Sequence, residues 1–107
     1  MGRKTIIEQL GEYRKMINKE IPISKMILFG SRAWGKPHKD SDIDIIIVSP
    51  VFRDVRRLDR GVDLHLKWNL NYPVDILCYT PEEFRRKKKF FGVVQQAVKE
   101  GIEIKAS

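Results

Sequence analysis

Asp42 and Asp44 bracket Ile43 in the stretch SDIDIIIVS, and a third aspartate, Asp75, sits near the start of the apolar run YPVDILCY. In an extended strand, residues two apart point to the same side and lie roughly 6.5 Å apart along the backbone. Asp42 and Asp44 therefore face one way and Ile43 the other. If the two runs are strands lying parallel, their starting ends coincide and all three carboxylates meet; if they lie antiparallel, Asp75 ends far away. Converging carboxylates raise one another's pKa values and cost stability unless a cation intervenes. Two divalent cations about 3.5–4 Å apart would neutralise them. A ligand set of oxygens alone, with no Cys or His, favours Mg²⁺, or alternatively Mn²⁺, over Zn²⁺.

Just upstream, Gly30 and Ser31 close the apolar run SKMILF. A glycine lets the backbone approach a phosphate, a helix N-terminus following it favours negative charge, and a serine hydroxyl adds a donor. The arrangement reads as carboxylates that hold metals, metals that hold phosphates, and a Gly-Ser turn that grips the phosphates from the other side. Asp40 reads as the cap of the preceding turn, and Asp59 and Asp63 as surface residues. His38 and His65 have no partner pattern for acid–base work and are assigned to the surface.

These residues need a frame. From residue 4 to about 19, Ile6, Ile7, Leu10, Tyr13, Met16 and Ile17 recur at helical spacing, and Pro22 ends that helix. Residues 24–30 read as a strand. Ser31 is placed as the N-cap of a brief helix that stops by Gly35-Lys36-Pro37, and residues 42–49 read as a central strand. Val55, Leu58, Val62 and Leu66 predict a helical crossover with a weak point at Gly61, long enough for the strands on either side to run parallel. Residues 72–79 form the third strand. Thr80-Pro81-Glu82-Glu83 then supplies an N-cap, a proline at the first helical position and a capping-box glutamate. One helix is predicted from there to about Glu100, kinked at Gly92 and closed by Gly101, with GIEIK as a short final strand. The expected fold class is α/β of the α+β type: a small mixed sheet of three to four strands flanked by helices.

Residues 1–107 are read as a single domain. Hydrophobic content of 42% against 33% charged describes a globular chain, not a disordered one. No apolar run approaches a membrane span and MGRKTIIEQL lacks a signal-peptide core, so the cytoplasm is the expected compartment and no membrane partner is expected. The single cysteine, Cys78, excludes an internal disulfide and is read as a buried core thiol. The net charge of +7 favours polyanionic partners, although a surface rich in Lys, Arg and Glu equally suits a heat-stable protein. The run Arg85-Arg86-Lys87-Lys88-Lys89 is read first as a solvated helix face; the triphosphate, RNA or an acidic partner are its alternative ligands, with nucleic acid not favoured. Phe90 and Phe91 are assigned to the core.

LFGSRAWGKPHKDSDIDIIIV followed by VDIL closely resembles the DNA polymerase beta-like nucleotidyltransferases, and more narrowly their small stand-alone members, the minimal nucleotidyltransferases (MNT), over roughly residues 20–104. The resemblance implies a polymerase beta palm-like fold. It implies that Gly30 and Ser31 bind nucleotide phosphates, that Asp42 and Asp44 hold two Mg²⁺ ions, and that Asp75 binds the catalytic metal and helps activate the attacking hydroxyl. Arg32 matches the motif, whereas Trp34 stands where GSRARG has its second basic residue. The implied reaction moves a nucleoside monophosphate, AMP from ATP, to a hydroxyl with release of pyrophosphate. The implied partner is a helical HEPN protein, a toxin whose tyrosine is adenylylated by this chain as antitoxin. Alternatives are transfer to a small molecule or an RNA end, or neutralisation of the partner by contact alone. The site is expected to be open, with a partner or a homo-oligomer completing it.

Overall fold

The computed structural model describes residues 3–34 and 42–106. Along the chain, α1 (Arg3–Ile17) leads to β1 (Lys25–Phe29), the one-turn helix α2 (Ser31–Trp34) and β2 (Ile43–Val48). Two 3-10 turns, Pro50–Asp54 and Arg57–Asp59, and the short α3 (Val62–Leu66) connect to β3 (Val74–Tyr79). The chain ends with α4 (Pro81–Lys87), α5 (Val93–Glu100) and β4 (Ile102–Glu103). The cap expected at Asp40, the stop at Gly35-Lys36-Pro37, His38 and the side chain of Trp34 lie outside the described residues.

The sheet order is β3-β2-β1-β4. β2 pairs antiparallel with β1 and parallel with β3, and β4 adds antiparallel to the far side of β1. The apolar run IDIIIV suits a strand with a neighbour on each edge and a layer on each face. Period-two alternation divides it. Ile43, Ile45 and Ile47 join Met26 and Leu28 under α1, while Ile46 and Val48 join Ile27 under Phe84 of α4 and Val94 and Ala97 of α5. The four-three-four spacing of Ile6, Leu10, Tyr13 and Ile17 buries one stripe of α1 on the first of these faces. The buried Tyr13 hydroxyl donates to the Leu64 carbonyl at 2.6 Å, and the Tyr13 ring meets Trp68 edge-on with centroids 4.9 Å apart. The capping box forms as read: Glu83 N–H donates to Thr80 Oγ1 at 3.1 Å and Thr80 N–H donates to Glu83 Oε1 at 2.9 Å.

Two expectations are corrected. The predicted crossover helix with Val55, Leu58, Val62 and Leu66 inward is instead two 3-10 turns and a five-residue helix. Phe52 and Leu64 are the apolar residues buried there, while Leu58, Val62 and Leu66 are exposed. Pro50 and Ser49 start a 3-10 turn, and a new turn begins after Gly61, so a single 3.6-residue period never runs through the segment. The second correction is the last helix, which breaks between Lys87 and Val93. Arg85 to Lys89 wind like charges onto adjacent turns, and Gly92 takes φ +152°, a conformation outside the helix. Phe90 and Phe91 fall in the break and are exposed rather than in the core.

Cys78 is half-buried against the α1 side of the sheet, and burial pushes its thiol up to about 11 despite the opposing pull of Arg60. Such a thiol stays protonated and unreactive. Among the described residues no helix is long and apolar enough to cross a membrane.

Candidate active site

The parallel pairing of β2 with β3 answers the condition posed by the aspartates. Their register sets Phe29, Asp44 and Asp75 in one row across β1, β2 and β3. The next row on that face is Ile27, Ile46 and Leu77, covered by α4 and α5. Counting by twos along β2 places Asp42 on the same face, one residue before the strand begins. The aspartates thus occupy the end of a face whose middle is apolar core. The sheet register brings Asp44 and Asp75 side by side, with Asp42 exposed and Asp75 exposed beside a half-buried Asp44. Among the described residues, no three His, Cys, Asp or Glu side chains are gathered tightly enough to hold a cation as they stand. Carboxylates with nothing positive between them repel.

Asp44 carries the cost. Its carboxyl is held above the usual range, first by burial, then by the negative charges of Asp75 and Asp42. This is the site's fit to a hard divalent cation: oxygen donors from two adjacent strands, a half-buried carboxylate, and no ion pair for Asp42, Asp44 or Asp75 among the described residues. A larger hollow, about 680 Å³, lies elsewhere, between residues 57–66 and β3.

Gly30 follows β1 directly, with φ +79°. Only glycine adopts that conformation without cost, and a Cβ there would also collide with the Asp44 carboxylate. The sequence pointed to Gly30 for phosphate approach; the fold adds a second reason, that the turn must make room for a carboxylate. Gly30 O accepts from Ala33 N–H at 3.0 Å, which opens α2 with Ser31 as its first residue instead of its cap. Ser31 is half-buried. Arg32 is buried, its guanidinium 4.9 Å from the centre of the Tyr72 ring. Tyr72 went unnoticed in the sequence. Its signal was an aromatic three residues before Asp75, placed to tie the Gly-Ser turn to the approach of β3. His65, Asp59 and Asp63 are exposed, as expected.

Comparison with known proteins identifies the family and the fold. A family model described as a nucleotidyltransferase domain matches residues 7–104. The Haemophilus influenzae protein named probable protein adenylyltransferase MntA is 32% identical over 95 residues, covering 86% of this chain and 83% of that protein. Two crystal structures share the fold. One, from Sulfolobus solfataricus and described as a nucleotidyltransferase, superposes with a TM-score of 0.67 at 22% identity, covering 94% of this chain and 80% of that one. The other, a toxin–antitoxin with AMP-PNP, gives 0.55 at 23% identity, covering 100% and 75%. A sheet that sets Gly30, Asp44 and Asp75 at one end, in a chain matched almost throughout by that model, leads to one assignment: the chain belongs to the nucleotidyltransferase domain family, as an MntA-like member, and is a nucleotidyltransferase.

Proposed function

We propose that this enzyme transfers AMP from ATP to a tyrosine hydroxyl of a helical HEPN toxin and so acts as its antitoxin in the cytoplasm. The observation that carries the reading is the row in which Asp44 and Asp75 are neighbours, with Gly30 against Asp44. The MntA relative is named a protein adenylyltransferase, and the toxin–antitoxin structure of the same fold was solved with AMP-PNP, an ATP analogue; both support ATP and a toxin as substrates.

In this reading Asp42 and Asp44 hold Mg²⁺, with Asp75 as a further ligand. The metal, when bound, supplies positive charge to the phosphates and to the departing pyrophosphate. Gly30 lets the backbone approach the phosphate chain and Ser31 donates its hydroxyl to a phosphate oxygen; α2, a single turn, adds little dipole of its own. Asp75, exposed at the open side of the pair, accepts the proton of the attacking hydroxyl. The new bond joins that oxygen to the α-phosphorus of ATP, the bond to the β-phosphate oxygen breaks, and pyrophosphate leaves with its electron pair.

Asp75→Asn is nearly isosteric and should leave β3 packed. Wild type and variant are incubated with labelled ATP, Mg²⁺ and the purified product of the neighbouring reading frame, and the partner is read by intact mass. Adenylylation by wild type, reduced about a thousandfold or more in Asp75→Asn, is the expected result. Equal modification by both would make Asp75 structural. Silencing of the partner without any modification would replace transfer by contact.

A further inference from the structure

Phe90 and Phe91 stand outside both helices, Phe91 with its ring fully in solvent, directly after five consecutive cations. The charges nearby fall into two kinds. In the 53–60 segment every arginine is matched: Arg53 with Glu82, Arg56 with Asp59, Arg57 and Arg60 with Glu83. In the run that precedes the phenylalanines, Arg85 shares Glu82, Lys87 lies over the Tyr79 ring, and Arg86, Lys88 and Lys89 have no carboxylate partner among the described residues. Phe91 also borders two hollows of about 310 and 290 Å³. The first is lined by Arg86 and Lys87, the second by Gln95, Gln96, Lys99 and Glu100.

Unmatched cations suit phosphates, and a solvated flat ring suits a base. Gln95 and Gln96 donate through Nε2 to Lys88 O at 3.5 Å and to Glu100 Oε2 at 3.3 Å, which leaves their amide oxygens as acceptors for a base amino group. A lipid surface would use the cations and rings and leave the glutamines unemployed. An acidic peptide would use the cations and leave the ring faces bare. We propose that the junction between α4 and α5 is a docking site for single-stranded nucleic acid, with bases stacked on Phe91 and phosphates held by Arg86, Lys88 and Lys89. Paired bases cannot reach the ring, so a duplex is a poor ligand. Tyr79, on the rim of the first hollow, is on the face of the sheet that carries the aspartates, four residues or about 13 Å beyond Asp75.

The test is fluorescence anisotropy of a labelled single strand of about twelve nucleotides, as RNA and as DNA, titrated with the full chain and no ATP. Its readout is therefore separate from the transfer reaction. Wild type should bind one or both strands at least about tenfold more tightly than the matching duplex. Phe91→Ala should weaken binding about ten- to a hundredfold with an unchanged melting temperature. The triple change Arg86→Gln, Lys88→Gln, Lys89→Gln should lower the slope of log affinity against log salt by about 2. Equal binding of strand and duplex, indifferent to Phe91→Ala, would reduce the site to unspecific charge and overturn the proposal. So would a protein that ignores the strands and instead binds phosphatidylserine vesicles, or its neighbouring-frame partner, through Phe91.

Discussion

At the start of β3, Asp75 stands beside Asp44, and among the described residues neither makes an ion pair. Past the other end of the same strand, Glu82 and Glu83 are held by arginines. Arg53 Nε donates to Glu82 Oε1 at 2.8 Å and Arg60 Nη1 to Glu83 Oε1 at 2.7 Å. The titration of these groups divides accordingly. Burial and like charges raise Asp44, while hydrogen bonds from Arg60 and Arg53 hold Glu83 and Glu82 down at about 2. One end of the strand satisfies its carboxylates internally and gains stability; the other, among the described residues, leaves them unpaired, ready for positive charge from outside. Carboxylates that complete their own pairing contribute to the fold and have nothing left to offer a ligand.

Exchanging roles between the two ends is the sharpest way to break this comparison. Asp44→Asn, a change at the unsatisfied end, should lower transfer about a thousandfold or more while the protein without nucleotide melts no lower than wild type, because a repulsion is removed. Mg²⁺ with ATP at 100 times Kd should stabilise wild type by about 2.7 kcal/mol, and Asp42→Asn with Asp44→Asn should abolish that rise. An undiminished rise in calorimetry would move the metal elsewhere. Gly30→Ala, also at the aspartate end, tests stability and chemistry at once. The positive φ costs about 1–2 kcal/mol and the displaced Asp44 should lower activity about a hundredfold, read by melting and by kinetics on one preparation.

Glu83→Gln belongs to the satisfied end. It should cost about 2 kcal/mol, roughly 10 °C in melting temperature, with transfer retained below the transition. The sign of its pH dependence follows from a folded pKa of about 2, below the unfolded carboxyl near 4.3. The stabilisation is full above about pH 4.5 and is lost as pH falls toward 2, so denaturation curves of wild type and Glu83→Gln should converge there. Constant separation through that range would show that Arg60 and Glu83 contribute no charge-dependent stability.

The sheet was legible because its signals are local. Ile43 to Val48, the capping box at Thr80 and the inward stripe of α1 each follow from short-range pattern and stand as read. The pairing of Asp44 with Asp75 was legible only as a condition, since parallel register depends on a connection of 25 residues whose path the spacing did not fix. There the pattern misled. Leu58, Val62 and Leu66 share a helical period with Val55, yet Phe52 and Leu64 are the apolar residues buried there, because the 3-10 turns and Gly61 reset the phase. Phe90 and Phe91 failed for another reason: hydrophobicity argues for burial only where the backbone still points inward, and the helix had already ended. The collision of a Gly30 Cβ with Asp44 joins the turn after β1 to β2 and had no signature in either stretch alone.

The exposed leucines of that connection have a consequence for the protein in concentrated solution. Leu58 and Leu66 are 92% and 78% exposed and line a hollow against β3, which forms one edge of the sheet. Sticky faces beside a sheet edge invite self-association, and the net charge of +7 opposes it by holding copies apart. That repulsion reaches only about 10 Å at 0.1 M salt and vanishes toward the isoelectric point. Colloidal stability of this chain should thus be set by buffer more than by temperature, with turbidity rising in strong salt or alkaline solution while the fold itself stays intact.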